Sequence, residues 1–168
     1  NTVRYRQGVL LDRENVNPLD WASGLASSAD ATIAVMGITP LLEGEEGESL
    51  ASPHKGDRLQ IGLPNHQVDY LRKLKQNNPN PLVVVLTGGS PIAAPEVHEI
   101  ADAVLFAWYP GEQGGNAVAD VLFGDANPTG KLPMTFPSSV NQLPDYEDYS
   151  MEGRTYKYME KKPLYPFG

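Results

Sequence analysis

Two stretches of the chain are apolar almost without interruption: ATIAVMG at 31–37 and the front of PLVVVLTGGS at 81–90. Runs of strand length with no polar alternation predict strands buried on both faces. Between and after them the apolar residues recur at helical spacing. LDWASGLASSAD at 19–30 predicts a helix with Asp20 near its start. LPNHQVDYLRKLKQNN at 63–78 puts Val68, Leu71 and Leu74 on one face and ends in a basic turn, which suits the negative end of a helix dipole. APEVHEIAD at 94–102 predicts a short helix, and AVLFAWYPGEQGG at 103–115 a strand followed by a turn. NAVADVLFGD at 116–125 predicts a helix with Gly124 as its stop. VRYRQGVL at 3–10 and KLPMTFPSS at 131–139 predict two further short strands, and beyond Pro128 the tail is rich in Tyr, Pro and charge. Strands and helices that alternate at such short intervals predict an α/β domain, its mostly parallel sheet covered on both faces.

In such sheets ligands sit outside the carboxyl ends of the strands. The loops at 38–58, 87–95 and 108–115 leave those ends. The first contains LLEGEEGESLASPHKGDR, 41–58, in which Glu43, Glu45, Glu46 and Glu48 crowd together before Asp57 and Arg58. A charge run most simply faces water. A glutamate serves as general acid only when its pKa is raised, and neighbouring carboxylates supply the like-charge part of that shift. Glycoside hydrolysis needs one such acid and a second carboxylate as nucleophile or base. The oxygens would also suit calcium, but their spacing is not that of an EF-hand loop. Asp57 can accept hydrogen bonds from sugar hydroxyls and Arg58 can fix a carboxylate; the plainer alternative is an ion pair that closes the loop. TGGSP at 87–91 follows a strand but lacks the lysine of a phosphate loop, so a tight turn is the simpler reading. Ser90 has no nucleophile-elbow context. Trp108 and Tyr109, just past a strand end, suit either stacking on a sugar or packing under the next loop.

Composition narrows the classes. With 168 residues, 40% of them hydrophobic, the chain can form one ordinary domain with a core. A net charge of −8 argues against nonspecific nucleic-acid binding and against anionic membranes. The sequence has no cysteine, which removes disulfides, thiolate nucleophiles and cysteine-ligated metals. No apolar run approaches the ~20 residues of a membrane span. No cofactor-binding motif stands out, so no cofactor is expected. Asn1 is not an initiator methionine, and the expectation is a piece of a longer polypeptide.

Three stretches carry a resemblance: IAVMG…LEGEE…GDR…LP..Q, then AWYPGEQGGNAVADVLFGDANPTGKLPMTFP, then GRTYKY…PLYPFG. Together they resemble the second, α/β domain of glycoside hydrolase family 3, the β-glucosidases and β-xylosidases, from about Asp30 to Gly168. The resemblance implies a three-layer α/β/α sandwich with a mostly parallel sheet of about six strands. It implies one such domain over 1–168, with 145–168 an extended tail toward a following domain. It further implies a retaining, exo-acting enzyme that removes β-linked glucose or xylose from oligosaccharides. The nucleophile would be an aspartate on a (β/α)8 barrel domain of the same polypeptide, and the acid/base a glutamate in the loop after ATIAVMG. By the family's Gly-Glu-Gly or Glu-x-Glu pattern, that glutamate is Glu45, with Glu43 and Glu46 as competitors. Asp57, Arg58 and Trp108 would line the sugar site. Many members place Asp-Arg only a few residues after the glutamate, whereas here Gly47 to Gly56 intervene. The strand-and-loop form is more similar to the β-xylosidase-like branch than to the fungal β-glucosidase branch. Family substrates imply a secreted or periplasmic protein. The chain alone would be inert, because an eightfold strand-helix barrel takes about 250 residues. The competing readings are a non-catalytic carbohydrate-binding or interaction module of the same fold, and a nucleotide-binding domain using TGGSP.

Overall fold

A computed structural model of the chain describes residues 2–16, 19–44, 56, 58–76 and 78–168. The elements run α1 (Trp21–Ala26), β1 (Thr32–Gly37), α2 (Pro40–Glu43), α3 (Asn65–Gln76), β2 (Leu82–Thr87), α4 (Pro95–Ile100), β3 (Ala103–Trp108), α5 (Gly114–Phe123) and α6 (Thr155–Tyr158). A 3-10 turn covers Val140–Gln142. The three strands form one parallel sheet in the order β1-β2-β3, with Val35 beside Val85 and Val85 beside Leu105. The order in space follows the order in the chain. The crossover helices α3 and α4 therefore share a face of the sheet and touch each other.

That face holds the core. Ala34 and Met36 of β1, Val84 and Leu86 of β2, and Val68, Leu71 and Leu74 of α3 are buried together with Val97 of α4. Val104 and Phe106 of β3 pack against them. The helical spacing read at 63–78 thus corresponds to the buried side of α3. Gly124 stops α5 in the left-handed conformation expected of it, with φ 87°.

The parallel α/β architecture is the expected one, with three strands in the sheet among the described residues where about six are expected. Residues 3–10 form no strand; the segment finds no partner strand in the sheet among the described residues, and its end docks, with Val9 against the core. In 131–139, Pro133 and Pro137 remove two donors, and what remains is a single antiparallel bridge from Phe136 to Tyr165. β1 also departs from expectation. Ala34 and Met36 are buried, but Ile33 and Val35 on the opposite face are 45% and 59% exposed. β2 is the strand closed on both faces, with Val84 and Val85 both buried. A central strand has neighbours on either side to carry covering layers; β1 is the edge of the sheet among the described residues.

One side chain closes the end of that edge. Thr32 N–H donates to Pro81 O and Ile38 N–H to Thr87 O, so the even-numbered residues of β1 face β2 and Gly37 faces outward. Gln67, fully buried on α3, meets Gly37 there. Its Oε1 accepts from Gly37 N–H at 2.9 Å, and its Nε2 donates to Gly37 O at 2.7 Å. The amide stands in for the peptide unit of a neighbouring strand. Nε2 also donates to Leu11 O at 2.8 Å, which fixes the entering segment. Gly37 has no substitute here: its φ is 143°, and a Cβ would lie 1.9 Å from Thr87 O.

Asp20 and Asn78 join the helices to the sheet. Asp20 caps α1 by accepting from Ser23 N–H at 3.0 Å, and it also accepts from Tyr70 Oη at 2.8 Å and from Lys73 Nζ on α3. Asn78, buried, donates to Ala26 O at 2.6 Å and to Thr32 Oγ1 at 3.1 Å. The C-terminal tail returns to β3 through Phe136, which is fully buried and packs edge-to-face on Phe106, Trp108 and Tyr165.

Gln67→Leu keeps the volume but leaves two backbone groups of Gly37 unpaired, each costing about 1–3 kcal/mol. Urea unfolding is expected to show a loss of roughly 2–6 kcal/mol on that basis. For Asp20, burial pushes the carboxyl up, but Lys73, Ser23 and Tyr70 outweigh it and hold it below its usual value. A depressed folded pKa stabilises above the unfolded value of about 3.9 and is lost as pH falls through the folded value. The stability gap between the native chain and Asp20→Asn should be full at neutral pH and close in strong acid, read from urea midpoints across pH.

Candidate functional site at the strand ends

The carboxyl ends of all three strands converge on one carboxylate. After β1, Pro40 starts α2 at a position where a proline costs no hydrogen bond, and Gly44 ends it in the left-handed conformation with φ 63°. Glu43 is the last residue of that turn. Its Oε1 accepts from Ser90 Oγ at 2.6 Å, and its Oε2 accepts from Tyr109 Oη at 2.6 Å. Ser90 follows β2, and Tyr109 follows β3.

Arg58 enters the same cluster from the far end of the acidic segment. Its Nη2 donates to Ser90 Oγ at 2.8 Å and to Pro91 O at 3.2 Å. Ser90 therefore gives its one proton to Glu43 while receiving one from Arg58. The other terminal nitrogen, Nη1, is buried and has no hydrogen-bond partner among the described residues. Burial lowers the pKa of Arg58, and the nearby Glu43 opposes that shift. Burial and the hydrogen bond to Glu43 push the Tyr109 phenol up to about 12. Tyr109 thus remains a donor across the working range of most enzymes.

Backbone strain aims Tyr109. Trp108 has φ 57°, a left-handed conformation that costs a bulky residue about 1–2 kcal/mol. It coincides with a register shift between Leu86 and Thr87. The Trp108 ring is held edge-to-face against Phe106 at 4.6 Å and Phe136 at 5.8 Å, which keeps the distorted backbone in place. The glycines of TGGSP make room for these neighbours. A Cβ on Gly88 would lie 2.8 Å from Ile38, and one on Gly89 would lie 2.7 Å from the Tyr109 ring. With Ser90 bonded to a carboxylate, this turn has little to offer a phosphate.

Of the residues singled out from sequence, Glu43 and Arg58 come together here. Glu45, Glu46 and Asp57 lie outside the described residues. The ring of Trp108 lies against the aromatic cluster. Sequence reasoning did not assign Ser90 and Tyr109 to Glu43. The signal that locates them is that both lie in the turns that leave strand ends of one parallel sheet. Among the described residues no group of three His, Asp or Glu side chains is arranged to hold a metal ion, and no helix is long and apolar enough to cross a membrane.

Residues 11–168 match the model of the glycosyl hydrolase family 3 C-terminal domain. The chain is 52% identical over 133 residues to a xylan 1,4-beta-xylosidase of Xylanibacter ruminicola, covering 79% of this chain and 15% of that protein. It is 39% identical over 178 residues to a periplasmic beta-glucosidase of Salmonella typhimurium, covering 98% of this chain and 22% of that protein. A beta-glucosidase from Listeria innocua, crystallised in complex with gluconolactone, superposes with a TM-score of 0.66 at 26% identity, over 86% of this chain and 20% of that one. The chain thus spans between a seventh and a quarter of the relatives it matches.

The Tyr109–Glu43 bond has a spectroscopic consequence. A raised phenol pKa stabilises the fold below the unfolded value near 10 and is lost as pH rises through about 12. An ultraviolet tyrosinate titration of Tyr109→Phe should lack one phenol that ionises near 12 in the native chain.

Proposed function

Because this chain belongs to glycosyl hydrolase family 3, as a C-terminal domain of that family, we propose that it is the acid/base half of a retaining, exo-acting β-glycosidase. The substrate is a β-linked glucoside or xyloside oligosaccharide. The nucleophile is an aspartate on a (β/α)8 barrel domain of the same polypeptide, so these residues alone do not turn over substrate. The relatives are named as beta-xylosidase and beta-glucosidase, which supports both sugars equally.

The observation that carries this reading is the pinning of Glu43. The acidic segment leaves the carboxyl ends of a parallel sheet, where ligands of such sheets bind. Both oxygens of Glu43 accept hydrogen bonds from hydroxyl donors on the two neighbouring strand ends, which fix the side chain there and turn it away from a leaving group. Of the three glutamates, Glu43 is therefore the anchor. We assign the acid/base role to Glu45, two residues on and past the left-handed Gly44, with Glu46 as its competitor. In glycosylation Glu45 protonates the leaving oxygen while the barrel aspartate attacks the anomeric carbon. In deglycosylation the ionised Glu45 takes a proton from the attacking water. The two carboxylates then stand about 5–5.5 Å apart across the sugar. Asp57 accepts from sugar hydroxyls, Arg58 lines the site from its place beside Ser90, and Trp108 bounds the site on the β3 side. Oligosaccharide substrates outside the cytoplasm place the protein in a secreted or periplasmic setting.

Nitrophenyl β-glucoside and β-xyloside test the division of labour. The 168-residue chain by itself should release no nitrophenol above buffer. In the protein that joins it to a barrel, Glu45→Ala should lower turnover by the 10²–10⁴-fold of a lost general acid/base. Turnover by the chain alone that disappears in Glu45→Ala would overturn the two-domain reading.

A further inference from the structure

The outer edge of β1 is open in two directions at once. Thr32, Ala34 and Met36 turn their backbone groups to β2, so Ile33 and Val35 turn theirs outward, where no hydrogen bond reaches them among the described residues. Their side chains point to the face opposite the core and are exposed there. Unpaired backbone of this kind is a template for another strand, and exposed β-branched side chains call for an apolar layer over them. Residues 3–7 show the complementary defect. Val3 and Tyr5 alternate with Arg4 and Arg6 at strand period, yet both are exposed. No backbone hydrogen bond joins residues 3–7 to other described residues.

The handedness of the connections places the missing piece. Crossovers between parallel strands are right-handed, so the direction in which the chain moves across the sheet decides which face its helix covers. Moving from β1 to β3, the chain lays α3 and α4 on the core face. The helix α1, between residues 3–10 and β1, touches α3 and so lies on that face too. Residues 3–10 therefore approach β1 in the same direction, from beyond its outer edge. Their end is tied to α3, with His66 at 2.9 Å from Leu10 O and Gln67 donating to Leu11 O at 2.8 Å. A helix over Ile33 and Val35, on the opposite face, comes from a crossover that runs the other way, from a strand beside β1 outward to residues 3–7.

We propose that the outer edge of β1 receives a parallel strand of the same polypeptide, from ahead of Val3. The crossover helix of that strand covers Ile33 and Val35, and the chain then enters residues 3–7 on the far side of the added strand. Nothing in this depends on the acid/base assignment. Length supports a source in the same polypeptide. The chain matches two relatives over 79% and 98% of itself but accounts for only 15% and 22% of them, so most of each lies outside the match. One addition satisfies the β1 backbone, residues 3–7 and the uncovered face together. It also puts β1 where the winding reverses, and open α/β sheets bind ligands outside the carboxyl ends of the strands at such a point.

Amide hydrogen exchange, read at single residues, compares the 168-residue chain with the longer protein that joins it to a barrel. The amides of Ile33, Val35 and residues 3–7 should exchange freely in the short chain and slow by about 100-fold or more in the longer one. Gly37, whose N–H already bonds to Gln67, should be protected in both. Free exchange of Ile33 and Val35 in the longer protein overturns the proposal, as does protection there without protection in residues 3–7. Protection of Ile33 and Val35 already present in the short chain also overturns it. A dependence on protein concentration would then identify a second copy as the occupant, and independence would identify residues 3–7 themselves. Val35→Thr reads the covering helix separately. It should leave the urea midpoint of the short chain unmoved, where that side chain is 59% exposed, and lower the midpoint of the longer protein. An equal effect in both would show that no layer closes over Val35 and would overturn the covering helix.

Discussion

The amide of Gln67 holds the end of β1, and the position of everything that follows depends on it. A strand at the edge of a sheet has one row of backbone groups without a partner, and at Gly37 those groups are buried. Gln67 satisfies both with one side chain, in the geometry a neighbouring strand would use. This requires a glycine opposite, because Thr87 O stands where a Cβ would go. The close approach of β1 to β2 at this point and the insertion of an α3 side chain are one arrangement. They determine where Ile38 leaves the sheet, and hence where the turn that ends in Glu43 begins.

From there charge and strain take over. Glu43 would be a poorly placed anion above the strand ends if it were free. Two hydroxyl donors and a neighbouring guanidinium make it a fixed one. The donors reach it because the chain after β3 adopts a conformation that a tryptophan ordinarily avoids. The aromatic packing of Trp108 on Phe106 and Phe136 offsets that strain, so the tail that supplies Phe136 takes part in building the site from a distance.

The strands and long helices were legible because their signal is local: an unbroken apolar run for β2, a helical stripe on α3, a glycine after α5. Even so, the buried character of β1 was half right, since apolar composition does not say whether a strand is central or at an edge. The short strand expected at 131–139 failed for a reason also present in the sequence, its two prolines; the one expected at 3–10 failed because a strand needs a partner, which local pattern does not supply. The family motifs pointed to the acidic segment but not to its anchoring. Glu43, Arg58, Ser90 and Tyr109 are separated by up to 66 residues and meet only because three strands run parallel and end together. No spacing rule brings a serine after one strand and a tyrosine after another to the same carboxylate. Gln67 was visible only as a motif letter; its function needs the register of β1 to be understood.

The capped end of β1 also limits how the sheet can grow. The outward backbone groups of Ile33 and Val35 lie along the outer edge, and the exposed side chains of the same residues offer an apolar face beside it. A further strand can be laid along that edge only as far as Val35. At Gly37 the hydrogen-bonding positions are already taken by a helix side chain, so an incoming strand must end or turn away there. Gln67 thus sets a length limit and a register on any neighbour of β1, and keeps that neighbour clear of the loop in which the site begins.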